Sequence, residues 1–236
     1  MRWSRPLPRQ PPNPLMQPTT RAEQRAACVR LSQWQQRTVG FHRSFATDLP
    51  VVRQHDKHRR TTELLTELET ARLRLRLFRA EDLEPYAAMC ADPEVMRYVG
   101  ERGTLSREDA WDEMATLAGH WHLRGYGMWA VEERETGSFV GRVGLHYPEG
   151  WPDHEVAWAL ARPFWGKGYA AEAARVALGE AFGRLGWPRA ISLIHPANTR
   201  SVRLAERLGE HLDGEAVVHG CRVVVYALLS SAWRAA

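Results

Sequence analysis

The sequence predicts a mixed α/β (α+β) fold in which helices flank one central sheet. Segments with helical and with strand periodicity alternate along residues 61–236, as in sheets layered with helices. The chain has 236 residues and is 44% hydrophobic, which is enough for one full core. It shows no internal repeat. We therefore expect one folded domain over residues 61–236 and an extension of a different kind over residues 1–60.

The predicted elements follow from periodicity and from the residues that end each segment. Glu135-Thr136-Gly137 marks a hairpin turn, Pro196 ends a strand, and Gly209 is a typical residue at the end of a helix. In chain order, we expect a strand at 71–78, helices at 81–90 and 106–123, strands at 127–133, 138–146 and 155–160, a helix at 169–185, a strand at 190–194, a helix at 199–208, and strands near 211–218 and 222–229.

The first 60 residues are strongly basic. They contain eleven Arg and one Lys against three acidic residues, a net charge of +9, whereas the remaining residues carry 20 basic against 25 acidic side chains, a net charge of −5. The basic character therefore belongs to the extension and weakens the case for nucleic-acid binding by the domain. We do not expect a nucleic-acid partner, and nucleic-acid association through the extension is the least favoured functional hypothesis.

The extension is rich in Pro and Arg, lacks hydrophobic periodicity, and has no apolar stretch long enough for a signal peptide or a membrane span. Three interpretations stay open. The extension is either a stretch read from a misassigned start codon, with native translation beginning near residues 61–67, or a disordered native tail, or an organellar targeting segment. No membrane association is expected.

Three cysteines, Cys28, Cys90 and Cys221, are too few and too scattered for a disulfide framework or a zinc site. The close histidine pairs, at 55 and 58 and at 120 and 122, have no Cys or carboxylate partners at metal-ligand spacing. We predict no metal, and a reducing cytoplasm is the simplest location.

The most informative stretch is Arg162-Pro163-Phe164-Trp165-Gly166-Lys167-Gly168-Tyr169-Ala170. It joins an apolar strand to an alanine-rich helix through two glycines. Such a turn directs consecutive backbone N–H groups toward one point, and the helix N-terminus adds unpaired amides and a positive dipole end. The stretch is therefore either a phosphate cradle or only a tight turn between a strand and a helix.

Two nucleotide-binding patterns do not fit this stretch. Gly168, rather than Ser or Thr, follows Lys167, and no glycine lies five residues upstream, which excludes the magnesium-binding P-loop. The third glycine of the dinucleotide fingerprint is also missing. The turn therefore lacks the setting of a nucleoside triphosphatase or a dehydrogenase.

A second segment follows the strand at 190–194 and reads His195-Pro196-Ala197-Asn198-Thr199-Arg200-Ser201. Asn198 stands at the N-terminus of the next helix, and Ser201 lies one turn further on the same face. A plain helix N-cap explains Asn198 when the segment is taken alone.

Together, the segments Trp-Gly-Lys-Gly-Tyr-Ala-Ala-Glu-Ala and Asn-x-x-Ser-x-Arg-Leu-Ala-Glu-x-Leu-Gly resemble the GNAT superfamily of acyl-CoA-dependent N-acetyltransferases. The stretches 70–77 and 92–96 are similar to its Rim-type branch, which acetylates ribosomal protein N-termini and has relatives with other amine substrates. The resemblance covers about residues 68–232. It implies a mostly antiparallel central sheet with splayed central parallel strands that form the acyl-CoA cleft.

The resemblance also implies roles for individual residues. Backbone groups near Trp158 and Leu160 would bond the pantetheine arm of acetyl-CoA. The stretch from Gly166 to Ala170 would hold the pyrophosphate. The residues that the resemblance assigns to the acetyl-CoA site are Trp158, Leu160, Arg162, Gly166, Lys167, Gly168, Tyr169, Ala170 and Asn198.

Two departures from the family pattern are visible. Pro163 stands where members often carry Gln or Arg, so one polar contact is lost or moves to Arg162. Ala205 stands where many members carry a general-acid Tyr. Ser201 is then the local candidate for protonating the leaving thiolate.

Glu155 is the candidate general base, because strand alternation places it on one face with Ala157 and Ala159. A solvated or ion-paired carboxylate at the end of a strand is the alternative. His154 and His146 are weaker candidates.

The predicted function is acetyl transfer from acetyl-CoA to a primary amine, on a protein N-terminus or a small molecule, by a monomer or homodimer. A catalytically silent acyl-CoA-binding module on the same fold is the alternative. The tryptophans on predicted elements are expected in the core, and the other possibility is that Trp121, Trp129 or Tyr98 lines the acceptor pocket.

Overall fold

The computed structural model describes residues 66–100 and 103–234, and the predictions for residues 1–60 lie outside this part of the chain. The strands are β1 (Leu68–Glu69), β2 (Leu73–Arg76), β3 (Met128–Glu133), β4 (Phe139–His146), β5 (Glu155–Leu160), β6 (Arg189–Ile194), β7 (His211–Val218) and β8 (Cys221–Leu229). The α-helices are α1 (Leu83–Cys90), α2 (Pro93–Met96), α3 (Arg107–Arg124), α4 (Tyr169–Phe182) and α5 (Thr199–Leu208), and 3₁₀ turns lie at Ala80–Asp82, Arg162–Phe164 and Ser230–Ala232.

The eight strands form one sheet in the order β1-β2-β3-β4-β5-β6-β8-β7. Each neighbouring pair is antiparallel except β5 and β6, which are parallel. The parallel ladder holds only at Glu155 and Ile191, after which the two strands diverge. The mixed α/β fold, mostly antiparallel with splayed central parallel strands, is therefore confirmed.

Helices cover both faces of the sheet. On one face, α1 and α3 pack through Tyr86 and Met114 against Met128 and Ala159 of the strands. On the other face, Ala173, Ala177 and Leu178 of α4 and Leu204 and Leu208 of α5 pack against residues that include Val156 and Leu160. Because side chains alternate along β5, each face of this strand contacts one helix layer. The carboxyl end of β5 therefore lies between the two layers.

Local residue chemistry explains most element ends. Ser106 caps the N-terminus of α3 by accepting from the amide of Asp109, and Gly125 ends this helix with a φ of 76°. Gly209 ends α5 in the same left-handed conformation, with a φ of 91°. These ends agree with the predicted boundaries within one residue.

Other boundaries differ from the prediction. The first predicted strand is shorter and is preceded by the two-residue β1, because the chain turns at Thr70. The Thr70 amide donates to the carbonyl of Leu73, and the Thr70 hydroxyl oxygen accepts from the amide of Leu73. The predicted helix 169–185 ends at Phe182, where the amide of Gly183 still bonds Gly179 and the chain then turns through Gly186, whose φ is 65°.

The β3–β4 contact depends on a close backbone approach at Gly144. A Cβ atom at this position would lie 2.5 Å from the carbonyl oxygen of Gly127 and 2.7 Å from the Cα atom of Met128. Real Cβ atoms do not approach so closely, so the strands would have to separate. This packing holds β4, and through it β5, in place.

We expect Gly144→Ala to lower the free energy of unfolding by about 1–3 kcal/mol, because the added methyl group overpacks a rigid backbone contact. Gly119→Ala is the matched control, since Gly119 lies inside α3 with no atom within 4 Å of its Cβ position. Removal of this helical glycine should raise stability by up to about 1 kcal/mol. Urea unfolding of both variants measures the change in the free energy of unfolding. Equal changes in the two variants would contradict the close backbone contact at Gly144.

Candidate active site

A cavity of about 900 Å³ lies beside the carboxyl end of β5. Its walls are the backbone and side chains of Trp158 and Leu160, the glycine turn before α4, the first turns of α5, and the segment around α2. The diverging strands and two helix N-termini therefore meet at one concave site. Ligands commonly bind at such a point in sheets with parallel strands.

Gly166 and Gly168 give the turn its shape. Their φ angles are 76° and 83°, a conformation that glycine adopts without strain. Gly168 is the N-cap of α4, and the first intrahelical bond runs from the amide of Glu172 to the carbonyl of Gly168. The amides of Tyr169 and Ala170, in the first turn, precede that bond and have no intrahelical acceptor. Both residues line the cavity, so the turn offers backbone donors to an anion.

An ionic contact that the sequence did not reveal supports this turn. The Arg72 guanidinium pairs with Glu172 at 2.6 Å and also donates to the carbonyl oxygen of Lys167 at 3.0 Å. Tyr169 is buried, and its hydroxyl donates to Glu133. Arg72, immediately before β2, and residues of β3 and α4 thus hold the turn in place.

Arg162 and Lys167 lie differently from the other predicted donor-site residues. Arg162 Nε pairs with Asp92 Oδ2 at 3.0 Å and ties the turn to the N-cap of α2. Lys167 Nζ lies over the ring of Phe164, 5.0 Å from its centroid. The cavity wall, within the described residues, includes neither side chain.

The backbone of Trp158 is placed to bond an added chain. The amide of Ala161 donates to β4, so by alternation the N–H and C=O groups of Trp158 face the β6 side, where the ladder has already ended. The carbonyl of Leu160 faces the same way but accepts from Trp165 Nε1 at 2.7 Å.

Asn198 and Ser201 lie at the N-terminus of α5 and both line the cavity. Asn198 Oδ1 accepts from the amide of Ser201 at 3.2 Å, so Asn198 is the helix N-cap. Trp158 Nε1 donates to Ser201 Oγ at 3.2 Å. Because Ser201 accepts this bond, its own hydroxyl proton is free for another acceptor. Ala205, one turn on, is fully buried.

Glu155 is buried rather than solvated, with 6% of its surface exposed. Its carboxylate oxygens accept from the amide of Leu193 at 3.2 Å and from Trp151 Nε1 at 2.8 Å. Burial raises the pKa of Glu155 to about 7, while the hydrogen bonds from Leu193 and Trp151 and the charge of Arg142 oppose that rise. A carboxylate with such a pKa can take up and release a proton near neutral pH.

The two histidines near Glu155 have other surroundings. His146 is the direct cross-strand partner of Glu155, and burial lowers its pKa to about 4, with Arg142 and His120 acting in the same direction. His154 stacks on Tyr147, 4.3 Å between ring centroids. His146 is therefore a neutral ring beside the carboxylate.

Several arginines that the sequence analysis did not assign also line the cavity. Arg200, Arg203 and Arg207 lie on α5, and Arg97 lies beyond α2. The guanidinium of Arg200 lies 4.6 Å from the ring centroid of Trp165. The spacing of Arg200, Arg203 and Arg207 by three and four residues places them on one helix face, and this periodicity was the signal available in the sequence.

The aromatic residues separate into two groups. Trp121 and Trp129 are core residues, packed edge to face with ring centroids 5.0 Å apart, so the acceptor-pocket hypothesis is wrong for both. Tyr98 lines the cavity and stacks on His195 at 5.0 Å.

Within residues 66–100 and 103–234, no group of three or more His, Cys, Asp or Glu side chains is arranged to hold a metal ion. None of the helices described is long and apolar enough to cross a membrane.

Comparisons with known proteins agree with this geometry. Residues 72–211 match the family model described as Acetyltransferase (GNAT) domain. The chain is 33% identical over 154 residues to the uncharacterized protein YkkB of Bacillus subtilis (strain 168), across 62% of this chain and 86% of YkkB. It is 28% identical over 148 residues to the uncharacterized N-acetyltransferase YoaA of the same organism, across 62% of this chain and 84% of YoaA.

Among solved structures, the acetyltransferase from Agrobacterium tumefaciens str. C58 matches with a TM-score of 0.62 and 28% identity, over 79% of this chain and 98% of that protein. The family model covers more than half of the chain, and the diverging strands and glycine turn lie inside the matched region. The chain is therefore an enzyme of the GNAT acetyltransferase family.

Proposed function

We propose that this enzyme transfers an acetyl group from acetyl-CoA to a primary amine by direct attack within a ternary complex. The observation that carries the proposal is the meeting, in one cavity, of the donor-rich turn at Gly166–Ala170, the unpaired strand edge at Trp158 beyond the β5–β6 ladder, and Ser201. Glu155 lies on β5 at the start of this divergence.

The residues present fit acetyl-CoA as the donor substrate. The glycine turn offers backbone amides to the pyrophosphate. The free strand edge at Trp158 offers one N–H and one C=O group to the amides of the pantetheine arm. Among the described residues, the charged side chains that line the cavity are those of Arg97, Arg200, Arg203 and Arg207, which are cationic, and of Glu94, which is anionic. This balance suits a ligand with several phosphate charges.

Glu155 would act as the general base. The attacking amine must be neutral, and the Glu155 carboxylate, with its raised pKa, would accept the amine proton through water. Holding amine and thioester together supplies roughly 7–11 kcal/mol, and a positioned acid or base adds about 10²–10⁴ in rate. The base therefore matters most for an amine that is mostly protonated in solution.

Ser201 would deliver a proton to the leaving thiolate as a relay, with its own hydroxyl proton replaced from solvent water in the open cavity. Its hydroxyl accepts from Trp158 Nε1, which leaves its proton for the sulfur. A thiol with a pKa of about 8.5 is already a fair leaving group, so the enzyme tolerates Ala205 in place of a general-acid tyrosine.

A protein N-terminus is the acceptor that the resemblance to Rim-type enzymes favours, with small-molecule amines as the other class. At a pH of about 7.4, an α-amine with a pKa of about 7.7–8.0 is roughly a fifth to a third neutral, whereas a lysine with a pKa of about 10.4 is about one part in a thousand neutral. Thiol release from acetyl-CoA across N-terminal peptides, lysine peptides, polyamines, amino sugars and amino acids tests the proposal. Tight CoA binding with no turnover on any of these would favour the silent module.

We expect Gly166→Ala to weaken CoA binding about 5- to 30-fold, because a side chain at positive φ costs about 1–2 kcal/mol and turns the amides away from the phosphates. Gly186→Ala is the matched control, since Gly186 also has a positive φ of 65° and no atom within 4 Å of its Cβ position, but lies away from the cavity wall. Isothermal titration with CoA measures both. Equal affinity in the two variants would contradict a phosphate role for the turn.

We expect the double variant Arg203→Ala/Arg207→Ala to lose affinity for CoA but much less affinity for 3′-dephospho-CoA, because the arginines would pair with the 3′-phosphate. A charge-assisted contact is worth about 1.5–3 kcal/mol, so the CoA dissociation constant should rise about tenfold or more. Arg222→Ala, at an exposed arginine of β8, is the control. An equal loss of affinity for CoA and for 3′-dephospho-CoA would mean that these arginines contact a part of CoA other than the 3′-phosphate.

We expect Glu155→Gln to reduce turnover strongly with a lysine peptide and only slightly with an α-amine peptide. In the wild-type enzyme, turnover with lysine should fall as the pH drops through about 7, because Glu155 then becomes protonated. This acid limb should disappear in Glu155→Gln. Glu149→Gln, at a side chain that is 99% exposed, is the control. A large loss on a proven α-amine substrate would contradict the assigned base.

A further inference from the structure

The divergence of β5 and β6 exposes backbone groups that a continued ladder would have paired. Beyond Ile191, whose amide bonds the carbonyl of His154, the next pair in a parallel ladder would be the amide of Leu193 and the carbonyl of Val156. Instead, the Leu193 amide donates to the carboxylate of Glu155 at 3.2 Å, and the Val156 carbonyl accepts from Ser192 Oγ at 2.9 Å. Side chains thus occupy both groups and keep the strands apart.

A second carboxyl group completes this arrangement. Glu210 follows α5 and is 1% exposed. Its Oε1 atom lies 3.1 Å from Ser192 Oγ, and its Oε2 atom is buried with no hydrogen-bond partner in the described part of the chain.

The hydrogen-bond donors and acceptors around Ser192 bear on the protonation state of Glu210. A serine hydroxyl has one proton to donate, and Ser192 Oγ has two neighbours at hydrogen-bond distance, Val156 O and Glu210 Oε1. A backbone carbonyl only accepts. If Ser192 gives its proton to Val156, the bond to Glu210 requires a proton on Glu210. The reverse arrangement would bury an ionised carboxylate and leave the Val156 carbonyl without a donor, which is costly.

The surroundings of Glu210 also favour a protonated, neutral carboxyl group. Burial raises the pKa of Glu210 to about 8, the Ser192 contact opposes the rise, and the charge of Glu155 adds to it. Arg142 on β4 acts on Glu155. Tyr226 on β8 is the cross-strand partner of Ser192 and is the neighbouring titratable group from that strand.

We propose that Glu210 is a positioning residue that stays a neutral carboxylic acid, donates its proton to Ser192 Oγ, and thereby fixes the separation of β5 and β6 beside Glu155. This inference rests on the proposed function only for its effect on turnover. With Glu210 neutral, Glu155 is the one carboxyl group of this pair that ionises near neutral pH. The Ser192 bridge holds Val156, and with it the neighbouring Glu155, at the point where the two strands diverge.

The proton on Glu210 is tested by unfolding equilibria that need no substrate. A carboxyl whose pKa is raised in the folded protein stabilises the fold below its unfolded pKa, and this stability is lost as the pH rises to the folded pKa. From about pH 5 to about pH 8, the unfolding constant of the wild type should therefore rise about tenfold per pH unit relative to that of Glu210→Gln. Glu206→Gln, at an exposed glutamate of α5, should show no such trend.

A ratio between wild type and Glu210→Gln that stays constant over this pH range would overturn the proposal, because Glu210 would then be ionised in the folded protein. If Glu210→Gln does not fold, carboxyl ¹³C resonances of Glu-labelled Glu155→Gln protein give the same answer. A buried carboxyl that titrates above about pH 7 supports the proposal, and the absence of any carboxyl that titrates above about pH 5.5 refutes it.

The positioning role is tested by two substitutions that differ in one property. Glu210→Gln keeps an N–H donor toward Ser192, whereas Glu210→Met keeps the length and removes the donor. With an acceptor identified by thiol release, Glu210→Met should lower kcat about 10- to 100-fold while the CoA dissociation constant stays within about twofold, and Glu210→Gln should restore kcat. Undiminished kcat in Glu210→Met would overturn the role. A wild type that acetylates none of the acceptors would refute the proposed function, while the unfolding titration still decides the proton.

Discussion

The separation of β5 from β6 is the constraint on which the rest of the site depends. The two strands pair at Glu155 and Ile191 and then part, so their remaining backbone groups need other partners. Glu155 and Ser192 supply those partners for Leu193 and Val156. Without them, burial of unpaired amide and carbonyl groups would favour closing the ladder, and the edge at Trp158 would be lost.

The divergence of β5 and β6 also determines where the reactive groups lie. Because side chains alternate along β5, Glu155 faces the α1 and α3 layer, while Val156 and Leu160 face α4 and α5. The N-termini of α4 and α5 then converge at the carboxyl end of this strand. The strand β5 therefore presents a buried carboxylate to one helix layer and a free backbone edge to the cleft. The N-termini of α4 and α5 approach from the other helix layer. Rigid elements, rather than loops, set all three.

Prediction from sequence succeeded where the signal was local. The end of β6 and the bounds of α5 were predicted correctly, since Pro196 and Gly209 restrict the backbone directly. The glycine turn was predicted for the same reason. The prediction did not find Arg72, Glu133 or Glu210, because their partners lie far away along the chain. Trp121 and Trp129 could not be separated from Tyr98, since an aromatic side chain on a strand or helix carries no mark of the face it packs against.

By itself, the sequence determined the order of elements, the glycine conformations of the turn, and the motifs that resemble GNAT enzymes, because each is a property of neighbouring residues. Only the tertiary structure decided that Glu155 is buried and has a pKa of about 7, that Trp158 meets Ser201, and that Arg203 and Arg207 line the cavity. Burial and proximity depend on how distant segments pack. The same physical reason applies to Glu210, which is one more acid in the sequence and a partner of Ser192 only because the chain after α5 packs beside β6.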